Sequence, residues 1–343
     1  MRVLVTGGAG FIGSNFVRYL VAAHPEDDVV VLDALTYAGN RANLAPLEAE
    51  GRVRFVRGDI ANEELVEHLL REWAISHVVN FAAESHNSLA VLDPARFFRT
   101  NVLGTQALCE AARRVGVERL HHVSTCEVYG DLPLDSDESF TEASPYRPRT
   151  PYNASKAASD HVVRSYAETF GLEVTITNCC NNYGPYQFPE KLIPLFTTRA
   201  LAGEPLPLYA STENRREWLH VEDHCRAVDL VLRHGRAGET YHVGSGREAT
   251  ITEIADAILE ATGRPASLKT IVPDRPGHDR RYLLDSTKIR SQLGWKPEVD
   301  FEQGLEATVA WYRDNEAWWR PLLGRSPVAE EAWGAVAPSR RAP

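Results

Sequence analysis

The chain has 343 residues, 43% of them hydrophobic and 24% charged, an ordinary soluble composition with length for two domains. With 37 basic against 47 acidic residues the net charge is −10, which excludes a general binder of nucleic-acid backbone and leaves room for a local patch for one small anion. The five cysteines include no C-x-x-C, against a disulfide framework or a zinc ribbon, and no apolar run approaches the ~18 residues of a membrane span.

The amino terminus runs from Met1 directly into a strand pattern, with no room for a signal peptide, so five reduced thiols in a cytoplasmic protein are expected. Short β-branched runs at Arg2–Thr6, Val29–Leu32, Val53–Val56, His77–Asn80, Leu120–Ser124 and Val174–Asn178 predict buried parallel strands. Between them, helical spacing covers Phe11–Ala23, Glu63–Trp73, Pro94–Val115 and Tyr152–Phe170. Strand alternating with helix implies right-handed crossovers: an α/β Rossmann fold with a doubly wound parallel sheet. From about Asn182 closely spaced prolines mark a loop-rich region. Helix Val221–Arg233 and strand Thr240–Val243 return to the first domain. The expected division is a Rossmann domain over 1–181 with a return segment over 221–245. A smaller mixed α/β cap takes 182–220 and 246–322, and a disordered tail 323–343.

Gly7, Gly10 and Gly13 follow the first strand and open the first helix together with Phe11 and Ile12. Such glycines allow a tight turn, close approach of backbone to a pyrophosphate, and tight packing of helix on strand. Asp33, about 20 residues on at the end of the second strand, suits both hydroxyls of an adenosine ribose and repels a 2′-phosphate, so NAD is preferred over NADP. Asp59, read as ending the third strand, is weighed equally as an adenine neighbour, with Ile60, and as a turn former. Tyr152 and Lys156, four apart on one helix face, form a pair in which an ammonium lowers a phenol's pKa and offers donors to a ribose. Only five of the 37 basic residues are lysine, so Lys156 and Lys191 stand out.

The glycine loop, Tyr152 and Lys156 resemble the extended short-chain dehydrogenase/reductase superfamily. The segments 32–40, Ala82-Ala83-Glu84-Ser85-His86, Val123-Ser124-Thr125, Glu127-Val128-Tyr129-Gly130, 181–186, 189–194 and 274–282 narrow this to nucleotide-sugar 4,6-dehydratases. The likeness spans residue 1 to about 320. It implies a homodimer joined through helices such as Pro94–Val115 and Tyr152–Phe170. It also implies a dTDP- or UDP-hexose substrate and a reaction with three stages. Tyr152, oriented by Thr125, takes the sugar 4-OH proton as hydride passes from C4 to NAD. Glu127 removes the C5 proton, and an acid at position 126 protonates the departing 6-hydroxyl. Hydride then returns to C6.

Two segments depart from the family pattern: Thr125-Cys126-Glu127 stands in place of Thr-Asp-Glu, and Asn87-Ser88-Leu89-Ala90 in place of Val-Asp-Arg-Ser. Cys126 is read either as a neutral proton donor or as a filler of the old aspartate site. Thr-Cys-Glu also resembles relatives that eliminate water and return hydride to C4, leaving a 5,6-unsaturated exo-glycal. A nucleotide-sugar 4-epimerase and a non-catalytic NAD-binding regulator are the remaining alternatives. The candidate substrate contacts are Ser85, His86, Asn182, Lys191, Leu192, Tyr209, Arg216, Arg275 and His278, with Arg216 and Arg275 preferred for the diphosphate. No metal is expected, since His86 lacks a second histidine at ligand spacing. The pair His121-His122, placed at a strand end, reads as packing.

Overall fold

The computed structural model describes residues 1–274 and 277–325. Twelve strands occur among the described residues: β1 (Arg2–Thr6), β2 (Asp28–Asp33), β3 (Val53–Arg57), β4 (His77–Asn80), β5 (Arg119–Thr125), β6 (Val174–Cys179), β7 (Asn181–Tyr183), β8 (Leu206–Tyr209), β9 (Arg215–His220), β10 (Thr240–Val243), β11 (Glu248–Thr250) and β12 (Lys269–Val272). Seven of them form one parallel sheet in the order β10-β6-β5-β4-β1-β2-β3. The order reverses between β1 and β4, so a crevice opens there at the carboxyl ends of the strands. β10 extends the sheet beyond β6, as the return segment implied.

These strands are apolar because helices cover both faces. Val3 and Val5 pack with Phe16, Val17 and Leu20 of the first helix on one side. Leu4, Val30 and Leu32 pack with Val66, Leu69, Leu108 and Val163 on the other. Burying one such side chain contributes about 1.5–3 kcal/mol, which fixes the sheet and with it the crevice.

The long helix expected over Pro94–Val115 is interrupted: Pro94–Phe97 and Thr105–Val115 are α-helical and Phe98–Gly104 between them is a π-helical stretch. Periodicity of 3.6 cannot reveal one widened turn. The helix Pro151–Phe170 is capped by Thr150, whose hydroxyl accepts from Asn153 N–H, begins with Pro151, and ends at Gly171 in the left-handed region. His121 and His122 lie in the middle of β5 rather than at its end.

Beyond Asn181 the chain is more regular than its prolines suggested. β7, β9 and β11 form a second sheet, and β8 pairs with β12. Helices Leu192–Ala202, Ile251–Ala261 and Phe301–Asp314 complete this region. Pro194 falls in the first turn of its helix, where a missing N–H breaks no helical bond. Thr250 and Glu253 make a reciprocal capping box on the second of these helices. Most of the expected tail, from 326 on, lies outside the described residues.

Candidate active site

A cavity of about 360 Å³ runs across the switch point. Every residue expected to hold a dinucleotide borders it: Gly7, Gly10, Phe11, Ile12, Gly13, Asp33, Asp59, Ile60, Ala82, Tyr152 and Lys156. Gly7 has φ +68°, and a Cβ there would lie 2.6 Å from Ala82 N. A Cβ on Gly13 would lie 2.3 Å from the Gly7 carbonyl oxygen, so helix and loop touch through backbone alone. No side chain caps the Gly10 end of helix Phe11–Ala23, which leaves its first N–H groups at the cavity for an anion.

Asp33 ends β2 and accepts from Ala9 N–H at 2.9 Å and Leu35 N–H at 2.7 Å. Burial pushes its carboxyl up from the usual value, against those two donors. A carboxylate has capacity for further donors, which suits ribose hydroxyls. Asp59 is two residues past the end of β3, not at it. Its carboxylate accepts from Ala61 N–H at 2.9 Å, so it forms a turn and borders the cavity at once.

Thr125, Glu127, Tyr152 and Lys156 line the inner end. Thr125 closes β5 and caps the short 3₁₀ turn Cys126–Tyr129, its hydroxyl accepting from Glu127 N–H at 3.2 Å. Thr125 also acts on the Tyr152 phenol, favouring its ionised form against burial. Asn87 Nδ2 donates to Glu127 Oε2 at 2.8 Å.

The expectation that Lys156 lowers the Tyr152 phenol is corrected here. Burial, then the charge of Glu127, pushes the phenol well above its usual value. Lys156 instead donates to the Val123 carbonyl at 2.9 Å, and burial lowers its pKa while Asp160 raises it. Beneath it His122 Nδ1 faces Asn80 Nδ2 at 3.1 Å, and the Asn80 carbonyl oxygen is taken by Thr6. His122 Nδ1 is therefore an acceptor and Nε2 carries the proton, facing Asp160 at 3.4 Å. Burial, then the Lys156 charge, lowers His122 to about 4, so it is neutral at pH 7. Burial alone would raise Asp160, but His122 and Lys156 hold its carboxyl below its usual value. The sequence reading missed Asp160, although its position four residues after Lys156 on the same helix was a usable signal.

Cys126 sits elsewhere than its place in the motif suggested. It is fully buried among Val128, Tyr129, Cys179 and Cys180 and does not border the cavity. Burial, then Glu127, pushes its thiol well above the usual value. All five thiols are free and buried.

The expected substrate contacts divide. Ser85, Asn182, Lys191 and Leu192 border the main cavity, Lys191 donating to the Ser85 carbonyl at 3.1 Å. His86 and Tyr209 border a second cavity of about 470 Å³. His86 Nδ1 accepts from Ser88 and Leu89 N–H at 3.1 and 3.3 Å, and its Nε2 is 3.2 Å from Glu190. His278 packs edge-on against Tyr209, 5.1 Å between ring centroids, and borders neither cavity. Arg216 borders neither cavity: its guanidinium donates to the carbonyls of Arg215, Asp279 and Arg280 and lies over the Tyr282 ring. An arginine so bonded to backbone ties the segment around Asp279 and Arg280 to β9. Arg275 lies outside the described residues. Gln187 and Trp218, not anticipated, also border the main cavity; among the described residues Gln187 Oε1 and Trp218 Nε1 have no hydrogen-bond partner. Such buried polar atoms suit a polar ligand.

The sequence model of the GDP-mannose 4,6 dehydratase family matches residues 4–308. The dTDP-glucose 4,6-dehydratase of Streptomyces niveus is 51% identical over 339 residues, 98% of each chain. That of Mycobacterium tuberculosis is 50% identical over 94% of this chain and 96% of its own. Among solved structures, the dTDP-glucose 4,6-dehydratase DesIV of Streptomyces venezuelae, with NAD and TYD bound, is 55% identical. It has a TM-score of 0.91 and covers 94% of this chain and 100% of its own. A UDP-glucose 4-epimerase of Thermus thermophilus in complex with NAD is 37% identical, with a TM-score of 0.84, over 92% of this chain and 100% of its own. The chain belongs to the GDP-mannose 4,6 dehydratase family, as a dTDP-glucose 4,6-dehydratase-like member of the extended short-chain dehydrogenase/reductase superfamily.

Proposed function

We propose that the chain dehydrates a dTDP-hexose by oxidising C4, removing water across C5–C6 and reducing the product again. It is an NAD-dependent lyase. One observation carries the reading of the site. The uncapped helix end and Asp33 share a single cavity with Thr125, Glu127, Tyr152 and Lys156. When bound, NAD supplies the hydride acceptor and donor.

Tyr152 takes the proton of the sugar 4-hydroxyl as its phenolate, the form that the positive charge of bound NAD and the Lys156 ammonium would favour against burial and Glu127. Asp160 favours the charged form of Lys156 against burial, and its ammonium has N–H donors to spare for a ribose. The 4-ketone acidifies the C5 proton, and the Glu127 carboxylate removes it. Ser85, Asn182, Lys191 and Leu192 grip the nucleotide-sugar, Lys191 meeting phosphate charge. Residues 182–220 and 246–322 act as the substrate cap over the Rossmann domain of residues 1–181.

Incubation with dTDP-glucose, followed by NMR, tests this: a new C6 methyl with a C4 ketone is expected, and retention of the 6-hydroxyl in every hexose tried rejects it. A second reading, return of hydride to C4 to give an exo-glycal, rests on Thr125-Cys126-Glu127 standing in place of Thr-Asp-Glu, and the same spectra would show a C5–C6 alkene. The buried reduced thiols favour a cytoplasmic setting. Exposed Phe98, Leu103 and Phe170 on the two long helical segments favour a homodimer, measurable by sedimentation.

A further inference from the structure

We propose that Asn87 is a positioning residue for Glu127, and that the bonded chain Glu127–Asn87–Thr150 locks the carboxylate to the start of the helix that carries Tyr152. The inference rests on the reading of Glu127 as the group that removes the C5 proton.

The bonds run in one direction. The backbone N–H of Asn153 donates to Thr150 Oγ1 at 3.2 Å, so the Thr150 hydroxyl has its proton to give elsewhere. It gives it to Asn87 Oδ1 at 2.8 Å. That leaves the Asn87 amide nitrogen facing Glu127, to which it donates at 2.8 Å. An ionised carboxylate only accepts, so the opposite amide orientation would set oxygen against oxygen at Glu127. The side chain is therefore oriented from both ends.

The backbone under Asn87 is fixed as well. Asn87 opens the short helix Asn87–Leu92, whose first N–H groups are held by His86 Nδ1. The other ring nitrogen of His86 is 3.2 Å from Glu190, the residue before Lys191. Thr150 is itself buried and is the first cap of the Tyr152 helix. On the far side of Glu127, Thr125 holds its backbone, and Thr125 and Tyr152 border the same cavity. The base is thus joined to the helix that carries the phenol through Asn87 and Thr150.

A glutamate carboxylate on a flexible stem reaches C5 in many orientations, few of them reactive. Holding it in one orientation shortens the search for the reactive geometry, and loss of such positioning costs about 10- to 100-fold in rate. The effect falls on proton removal at C5 and not on oxidation at C4, which uses Tyr152.

The test compares Asn87→Ala with wild type on dTDP-glucose, with NAD bound. Elimination is expected to slow about 10- to 100-fold with KM nearly unchanged, and exchange of the C5 proton with deuterated solvent to slow in parallel. Because C4 oxidation continues, the absorbance band of reduced nicotinamide should build up during turnover, a signature that general loosening of the fold would not give. Equal slowing of oxidation and elimination, or C5 exchange at the wild-type rate, overturns the proposal. Glu127→Gln is the control. If it still dehydrates the sugar, the functional reading itself has failed, whereas an inactive Glu127→Gln beside an unimpaired Asn87→Ala refutes only the role of Asn87. Should Asn87→Ala not fold, Thr150→Ser against Thr150→Ala reads the same chain. The serine should restore the elimination rate that the alanine loses, and equal rates in the two refute it.

Discussion

Gly13→Ala tests the cofactor loop most sharply. Its added methyl would lie 2.3 Å from the Gly7 carbonyl oxygen and 2.8 Å from Gly8 Cα, both backbone atoms that cannot rotate away. Helix and loop must separate by about 1 Å to reach ordinary contact, and overpacking of this kind costs about 1–3 kcal/mol. The same displacement carries the helix N–H groups away from the phosphate site, so a loss of about 2 kcal/mol in binding, or roughly 30-fold in Kd for NAD, is expected. Gly10→Ala separates the two effects. A methyl there meets only the Gly7 carbonyl oxygen, at 3.3 Å, while Gly10 faces the cavity. It should spare stability and still weaken NAD binding. Denaturant unfolding reads the first quantity and calorimetric titration with NAD the second. A Gly13→Ala protein as stable as wild type, with unchanged NAD affinity, would refute the close-packing argument.

Tyr152→Phe should reduce turnover by about 100-fold or more while calorimetry shows NAD still bound; residual full activity would remove Tyr152 from the chemistry. Asp33→Asn, which sets an amide against two backbone donors, should weaken NAD binding by about 1–3 kcal/mol, checked by the same titration. Stability should fall as pH drops from about 6.5 towards 4. Burial lowers His122 and His242 to about 4, His224 to about 3, and His121 well below its usual value. The unfolded chain therefore binds these protons first, so stability rises with pH through that window. Glu217, which burial pushes up to about 7, works in the opposite sense as pH rises from its ordinary value to 7, as do Asp33 and Glu84, whose carboxyls burial also raises. Thermal melts across pH 4–7 that show no acid loss would contradict the buried neutral histidines.

The two places where the sequence leaves its family pattern turn out to meet at one group. Asn87 hydrogen-bonds Glu127, and Cys126 is its chain neighbour, its thiol turned into the core. Neither fact was legible beforehand. A motif fixes which residues are adjacent along the chain, and side-chain direction in a 3₁₀ turn is decided by what packs against it. Arg216 shows the same limit. An arginine in a binding segment suggests an anion, yet the carbonyls of Arg215 before it and of Asp279 and Arg280 far along the chain accept from its guanidinium.

What the sequence determined by itself was the local order. The β-branched runs, the helical spacings between them, the glycine loop and Asp33 led to the parallel sheet and to residues that border the main cavity, because these depend on patterns within about 30 residues. Tertiary structure alone decided what required segments far apart to touch. It set the cavity wall of Gln187 and Trp218, the His122–Asp160 support under Lys156, and the second sheet built from β7, β9 and β11. It also decided the protonation of Tyr152, since a phenol's pKa follows its burial and its neighbours' charge, and four-residue spacing to a lysine fixes neither.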